Sequence, residues 1–342
     1  MHDTPREHKV WSSAARRYAE DGIVLALGAG VSIGSSLPSW SELICRLADR
    51  AAGNDGRVLL DQMASLGYSS AAIAGVVKTL IGGSYKKFLE TVRGESYRDF
   101  QYFRQARYLP RALVDSVITS NSTLRAIGAF CTLRHADGSF KANRKVHAIV
   151  NFNLDAVLRA YTYSRYGTRI LRTVERASAK ASSSKINVFH VHGFLHFSAP
   201  KIGDPESETD SIVLAEDEYY DFFNKPLGMF SYTMLHLLRE HAWLFVGLSM
   251  TDENLRRLLH YSYIERVQSY VAEGKRLSYA ERKCRRHFAV LRHSTNARLD
   301  AAIDQALAKL GVNVAWLHDF AELPDRLAGI YATSDNAWQE VY

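Results

Sequence analysis

Residues 25–40 read LALGAGVSIGSSLPSW: an apolar run breaks into glycines and small residues, then ends on Leu37-Pro38-Ser39-Trp40. The run IVLALG (23–28) is short, continuous and apolar, the pattern of a strand buried in a parallel sheet. Small residues directly behind such a strand let the backbone come close to another group. A strand that ends in glycines and opens a helix also favours phosphate, through free backbone N–H groups and the helix dipole.

Spacing narrows the kind of loop. A Walker A loop needs Gly-x-x-x-x-Gly-Lys-Ser/Thr, and no lysine follows here, which excludes an ordinary P-loop kinase or ATPase. The dinucleotide fingerprint needs Gly-x-Gly-x-x-Gly and an acidic residue ending the next strand. Gly28-Ala29-Gly30 is followed by Val31-Ser32-Ile33-Gly34, one residue out, and Asp49 stands at about the right distance but inside a predicted helix. A hydride-transferring dehydrogenase does not fit.

Working outward, residues 10–20 read as an amphipathic helix closed by Asp21-Gly22. Ser39 and Glu42 have the spacing of a capping box that opens a helix to about Ala52. Residues 58–135 carry helical spacing throughout, including the aromatic- and Arg-rich SYRDFQYFRQARYL (96–109). Strand patterns return at 147–152, 168–174 and 186–193, and again at 241–249, 286–292 and 312–317. Between them lie a Ser/Ala/Lys loop (176–185), a polar loop (200–210), a helix holding Tyr219, Tyr220 and Phe222, a helix from about Asp252, and one over 297–310. Strands alternating with helices imply an α/β fold, a Rossmann-like doubly wound parallel sheet. Residues 1–57 and 146–342 form that domain in this reading, and 58–145 form a helical insertion.

The 342 residues are 47% hydrophobic and 23% charged, ordinary values for a globular chain. The first residues are too polar for a signal peptide and the apolar runs too short for a membrane span, so no membrane association and a cytoplasmic location are expected. Three scattered cysteines, Cys45, Cys131 and Cys284, offer neither a disulfide framework nor a structural zinc site, and no metal is expected. The net charge is +7, with a basic cluster at Arg282, Lys283, Arg285, Arg286 and His287. That cluster reads as a solvated helix end or as a surface for an acidic partner or nucleic acid, although no nucleic-acid motif accompanies it.

Three further segments carry chemistry. VNFNLDAVL (150–158) puts Asn153 and Asp155 where a strand ends. An amide there can bond a carboxamide or hold a water, and a carboxylate can steady a ribose; alternatively both residues cap the next helix. Asn151, two residues earlier, can share the same pocket. VFHVHGFL (188–195) places His190 and His192 two apart on one strand, where an imidazole at the sheet mouth can take a proton from a hydroxyl or a water. FVGLSMTDENLRRLL (245–259) repeats the strand-then-glycine pattern at Gly247 and Ser249, with Asp252 as an N-cap and Asn254 behind it.

In this order the four segments resemble the sirtuin-like (SIR2-like) family, specifically its bacterial branch. The resemblance implies that Gly28, Ala29, Gly30 and Ser32 bind the pyrophosphate of NAD, with Trp40, Gly247, Ser249 and Asn254 completing the nucleotide site. It implies Asn153, Asp155 and His192 as the catalytic set. IVLAEDEYYDFF (212–223) also resembles a helix of this branch. The chain departs from the deacylases of the family: it lacks their two Cys-x-x-Cys pairs and reads Leu-Pro-Ser-Trp instead of their acidic-aromatic-arginine signature. Those departures match the branch associated with NAD hydrolysis in anti-phage defence. The expected activity is an NAD+ glycohydrolase releasing nicotinamide and ADP-ribose. A protein deacylase or ADP-ribosyltransferase, and a non-catalytic NAD- or ADP-ribose-binding module, are the alternatives. The expected partners are NAD+, further copies of the chain, and a defence-system protein or activator.

Overall fold

The strand over Ile23–Leu27 (β1) is buried at every residue, as a continuous apolar run in the middle of a parallel sheet must be. This is a computed structural model, and it describes residues 5–100, 121–175, 179–197, 212–224 and 228–332. Residues 101–109 of the aromatic- and Arg-rich stretch, residues 176–178 of the Ser/Ala/Lys loop and all of the polar loop 200–210 lie outside the described residues. The strands that follow β1 are β2 (Thr132–Arg134), β3 (Phe140–Ala142), β4 (Val146–Asn151), β5 (Leu171–Val174), β6 (Ile186–His190), β7 (Ala242–Val246), β8 (His287–Arg292) and β9 (Val312–Leu317). Seven of them form one parallel sheet in the order β5-β6-β4-β1-β7-β8-β9. The fold is therefore α/β, as the alternation of patterns predicts.

Side chains alternate across the sheet with period two, and the two faces carry separate cores. Ile23, Leu25 and Leu27 pack with Ile149 and Leu244 under helices that include α1 (Pro5–Asp21), α2 (Trp40–Ala52), Ser122–Phe130 and Leu323–Ala332. Val24 and Ala26 pack with Trp243 and Phe245 under the helices Met229–Glu240, Glu253–Ala272 and Ala297–Ala308. Helices on both faces make the sheet doubly wound. None of the described helices is long and apolar enough to cross a membrane.

The segment expected to be helical over 58–135 departs from that expectation at its end. Among the described residues three helices follow α2, namely α3 (Gly56–Ser65), α4 (Ser70–Ile81) and α5 (Tyr85–Ser96), and Ser122–Phe130 is labelled α6. After α6 the chain turns into the antiparallel pair β2–β3. The turn between them explains the change: Asp137 Oδ1 accepts from both the backbone and the hydroxyl of Ser139, and Gly138 donates to the His135 carbonyl. Leu60, Val77, Phe88, Val92 and Phe100 pack in the same core as Leu25 and Leu27. Only half of the capping box forms. Ser39 accepts the Glu42 N–H at 3.2 Å, while the Glu42 carboxylate turns forward to Arg46, which also pairs with Asp99 at 2.7 Å.

The basic cluster divides between two environments. Arg282 and Lys283 are exposed and lie over the Tyr279 ring. Arg286 donates to the Leu238 and Arg239 carbonyls, and His287 is buried at the start of β8. Burial pushes His287 well below its usual range, which leaves a neutral ring whose Nδ1 accepts the Trp243 N–H at 3.2 Å.

Tyr97, just past α5, links these helices to the strand ends. Its buried hydroxyl donates to the Leu195 carbonyl at 2.7 Å and accepts the Ala156 N–H at 2.9 Å. It thereby joins the loops that leave β4 and β6. Tyr97→Phe keeps the ring and orphans both buried groups, so a loss of about 1–3 kcal/mol is expected in urea unfolding. A loss below about 0.5 kcal/mol would show that the loops hold their positions without it.

Candidate active site

β1 lies between β4 and β7, and from it the sheet is built first outward on one side, through β4, the edge strand β5 and then β6 between them, and later on the other side from β7. This is the switch point of the sheet, where the crevice outside the carboxyl ends of the strands is the usual ligand site. Gly28 follows β1, Asn153 and Asp155 follow β4, His192 follows β6, and Gly247 and Ser249 follow β7. The structure thus brings four segments of the predicted site residues to one edge.

The two glycine turns pack on each other. Gly28 N–H donates to the Val246 carbonyl and Gly30 N–H to the Gly247 carbonyl, both at 3.0 Å. Gly28 has an ordinary extended conformation, so its reason for being glycine is space. A Cβ on Gly28 would stand 2.5 Å from the Gly247 carbonyl oxygen, and one on Gly30 2.8 Å from the Gly247 Cα. Gly247 has φ +70°, and its Cβ would reach the Val31 nitrogen at 2.7 Å. The close approach expected of these glycines is therefore made first to a neighbouring backbone.

This packing also uses N–H groups that a phosphate loop was expected to leave free. Gly28 and Gly30 donate to β7 and its turn, Val31 donates to Gly28, and Ser32 donates to Ala29. The amides of Ala29, Ile33 and Gly34 make no such bond among the described residues, and Ile33 and Gly34 are exposed. Asn121 holds the loop from the other side: its Nδ2 donates to the Val31 carbonyl at 2.8 Å and to Ser35 Oγ at 3.0 Å. Sequence reasoning missed Asn121, whose only local sign is its role as N-cap of α6.

Asn153 ties β4 to the first turn. Its Nδ2 donates to the Gly28 carbonyl at 2.9 Å and reaches Ser32 Oγ at 3.3 Å, while its own N–H bonds Asn151 Oδ1 at 3.1 Å. Asp155 is buried; it accepts the Val157 N–H at 2.9 Å and a hydrogen bond from Ser32. Ser32 is thus the bridge between amide and carboxylate. Burial raises the Asp155 carboxyl above its usual range, and the Val157 and Ser32 bonds offset this only in part.

The two histidines take different roles. β6 ends at His190, so the two-residue alternation expected to relate them stops there, and His192 sits in the following turn. His190 is buried and donates from Nδ1 to the Asn153 carbonyl at 3.3 Å; burial pushes it down to about 4, leaving it neutral. His192 is partly exposed, and its Nε2 lies 3.4 Å from Asp252 Oδ2. Tyr219 donates to the same oxygen at 3.2 Å, and Asp252 Oδ1 caps the helix Glu253–Ala272 through the Leu255 N–H at 2.7 Å. Burial works against the Asp252 charge, but His192, the Leu255 N–H and Tyr219 outweigh it and hold the carboxyl below its usual range.

The sequence marks Asp252 only as an N-cap and Tyr219 only as a helix residue; in the fold Asp252 pairs with His192, and Tyr219 bonds the same carboxylate oxygen. The remaining site residues stand apart from this network. Trp40 opens α2 and packs half-buried against the core, Ser249 is exposed and bonds Thr251 at 2.7 Å, and the Asn254 side-chain oxygen accepts from Arg257 at 2.6 Å.

Gly247→Ala is expected to lower stability by about 1–3 kcal/mol from backbone strain, with the clash against Val31 adding to it. Gly274→Ala, also at positive φ but in open space, serves as the reference. Equal losses for the two in urea melts would mean that the turns do not need their contact. Asp155→Asn keeps an acceptor for Val157 and removes a buried charge. Because the folded pKa of Asp155 is raised, its ionised form costs native stability above the unfolded value of 3.8. The variant should therefore melt no lower than wild type at pH 7, and any gain should shrink as the pH falls toward 4. A large loss at pH 7 would show that the charge itself holds the site together.

No curated protein matches the chain. Residues 147–314 match the family model of the SIR2-like domain. The match begins in β4 and ends in β9, so it includes Asn153, Asp155, His192, Gly247, Ser249 and Asn254 and leaves out the turn at 28–32. This part of the chain is similar to a domain whose members are NAD-dependent enzymes.

Proposed function

We propose that the protein is an NAD+ glycohydrolase that cleaves the bond between nicotinamide and ribose and acts in anti-phage defence by depleting NAD. The observation that carries this reading is the meeting of Asn153, Asp155 and a carboxylate-paired His192 with a glycine turn at the switch point of the sheet. The scattered cysteines favour hydrolysis over deacylation, because they supply no paired ligands for the zinc module of a deacylase.

In this reading the exposed side of the first turn, with the amides of Ala29, Ile33 and Gly34, takes the pyrophosphate, and the nicotinamide ribose lies over the ends of β4 and β6. The nicotinamide leaves as a neutral molecule, so the main demand is to stabilise an oxocarbenium-like ribose. Asn153 fixes the turn that positions the dinucleotide, and Asp155 with Ser32 steadies the ribose. His192 turns Nε2 to Asp252, which leaves Nδ1 to take a proton from a hydroxyl or from the attacking water. The Asp252 carboxylate stabilises the imidazolium that results. Water then completes ADP-ribose.

A second reading, a module that binds NAD or ADP-ribose without cutting it, is favoured by one observation: the Asn153 amide and much of the first turn are already committed to holding the fold. Pure protein incubated with NAD+ separates the two when nicotinamide release is followed chromatographically across oligomeric states. Release is expected from wild type, with a loss of about 10²–10⁴-fold in His192→Ala and a comparable loss in Asn153→Ala. Release retained by His192→Ala would remove its assigned role. NAD+ binding without release under every condition would establish the binding module instead.

A further inference from the structure

A second cluster of chemistry-bearing side chains lies at the carboxyl edge of the sheet, two strands beyond β7. His293 follows β8 and His318 follows β9, and backbone pairing continues between them through His293 N–H to the Leu317 carbonyl at 2.9 Å. The two rings stack with centroids 5.1 Å apart, and Trp316 stacks on His293 at 4.9 Å. Glu7, from the first turn of α1, closes the group, with its Oε1 2.8 Å from His293 Nε2. One donor atom from each of Glu7, His293 and His318 lies within 4.8 Å of the other two.

Asp300, on the helix Ala297–Ala308, decides which His293 nitrogen faces the group. One Asp300 oxygen accepts His293 Nδ1–H at 2.9 Å, and the other accepts the Ser294 N–H at 3.0 Å. With Nδ1 held in this way, Nε2 points its lone pair or proton at Glu7 and His318. A carboxylate behind a histidine that directs its far nitrogen at two further donors is the outer-shell arrangement of metal-binding histidines.

We propose that Glu7, His293 and His318 form a site for a divalent transition ion, best matched by Zn2+, with Asp300 as a positioning residue and water in the fourth place. Two imidazoles and one carboxylate suit zinc, whereas calcium and magnesium take sets made of oxygen alone. Zinc donors at about 2.0–2.1 Å stand about 3.3 Å apart in a tetrahedron, so these need to close by about 1.5 Å at most. His318 is exposed and supplies the movement, while Glu7 is buried and His293 is fixed by Asp300 and Trp316. On binding, the proton between His293 Nε2 and Glu7 passes to solvent, the proton on Nδ1 stays with Asp300, and the ion accepts a lone pair from each of the three donors. The ion would clamp the start of α1 to the ends of β8 and β9. This proposal stands independently of the NAD+ reading.

The test uses the full chain, free of any affinity tag, stripped with a chelator and titrated with Zn2+ by calorimetry. Metal content is measured after gel filtration, and Co2+ is used in parallel as a spectroscopic probe. One ion per chain is expected, with the strong visible bands of tetrahedral Co2+. His318→Ala, an exposed change whose fold is checked by circular dichroism, should weaken binding by at least about 100-fold, and Asp300→Asn by about 10–100-fold although it donates no ligand. No stoichiometric uptake by wild type, or equal affinity in His318→Ala, would overturn the proposal and leave the group as an ion-paired network.

Discussion

The candidate site depends on the contact between two backbone turns. Gly28 and Gly30 at the end of β1 donate to Val246 and to the turn at Gly247, and neither turn has room for a side chain toward the other. β1 and β7 are neighbours in the sheet, so their ends must diverge or merge at the edge. Glycine on both sides lets them merge. Asn153, Ser32 and Asp155 are then placed relative to a rigid floor rather than a mobile loop. The amide of Asn153 belongs to that floor, because it bonds the Gly28 carbonyl and Ser32 Oγ.

The second constraint is the pairing of His192 with Asp252. A histidine at the mouth of a sheet acts as a base only if it is held and if its positive form is stabilised. Asp252 reaches the imidazole from the N-terminus of a helix packed on the other face, and Tyr219 bonds the same oxygen from a third element. His190, two residues earlier, has no charge partner of this strength; it is buried and neutral and supports the Asn153 carbonyl.

Much of the architecture was legible in the chain because buried parallel strands are written as unbroken apolar runs, and such runs end where the chain becomes polar. Asn153, Asp155, His192 and Gly247 stand at those ends, so they could be found by reading along the sequence. The groups that complete the site come from elsewhere: Asp252 and Tyr219 reach His192 through helix packing, and Asn121 reaches the first turn from beyond the helices α3–α5. No local pattern records such meetings. The same limit hid the reason for the glycines, since the object they approach lies far away in the chain. It also hid the β2–β3 pair, whose three-residue strands are too short to show a period against a helical background.

The pairing of the two turns has a consequence for the order in which the molecule is made. The turn at 28–32 leaves the ribosome more than 200 residues before the carbonyls that accept its amides, which belong to residues 246 and 247. Contacts of such long sequence separation close late. A nascent or truncated chain that ends before β7 can form helices and even β1–β4, yet it has no floor on which to set Asn153 and Ser32. Whatever the site does, it is withheld until β7 and its turn have been synthesised.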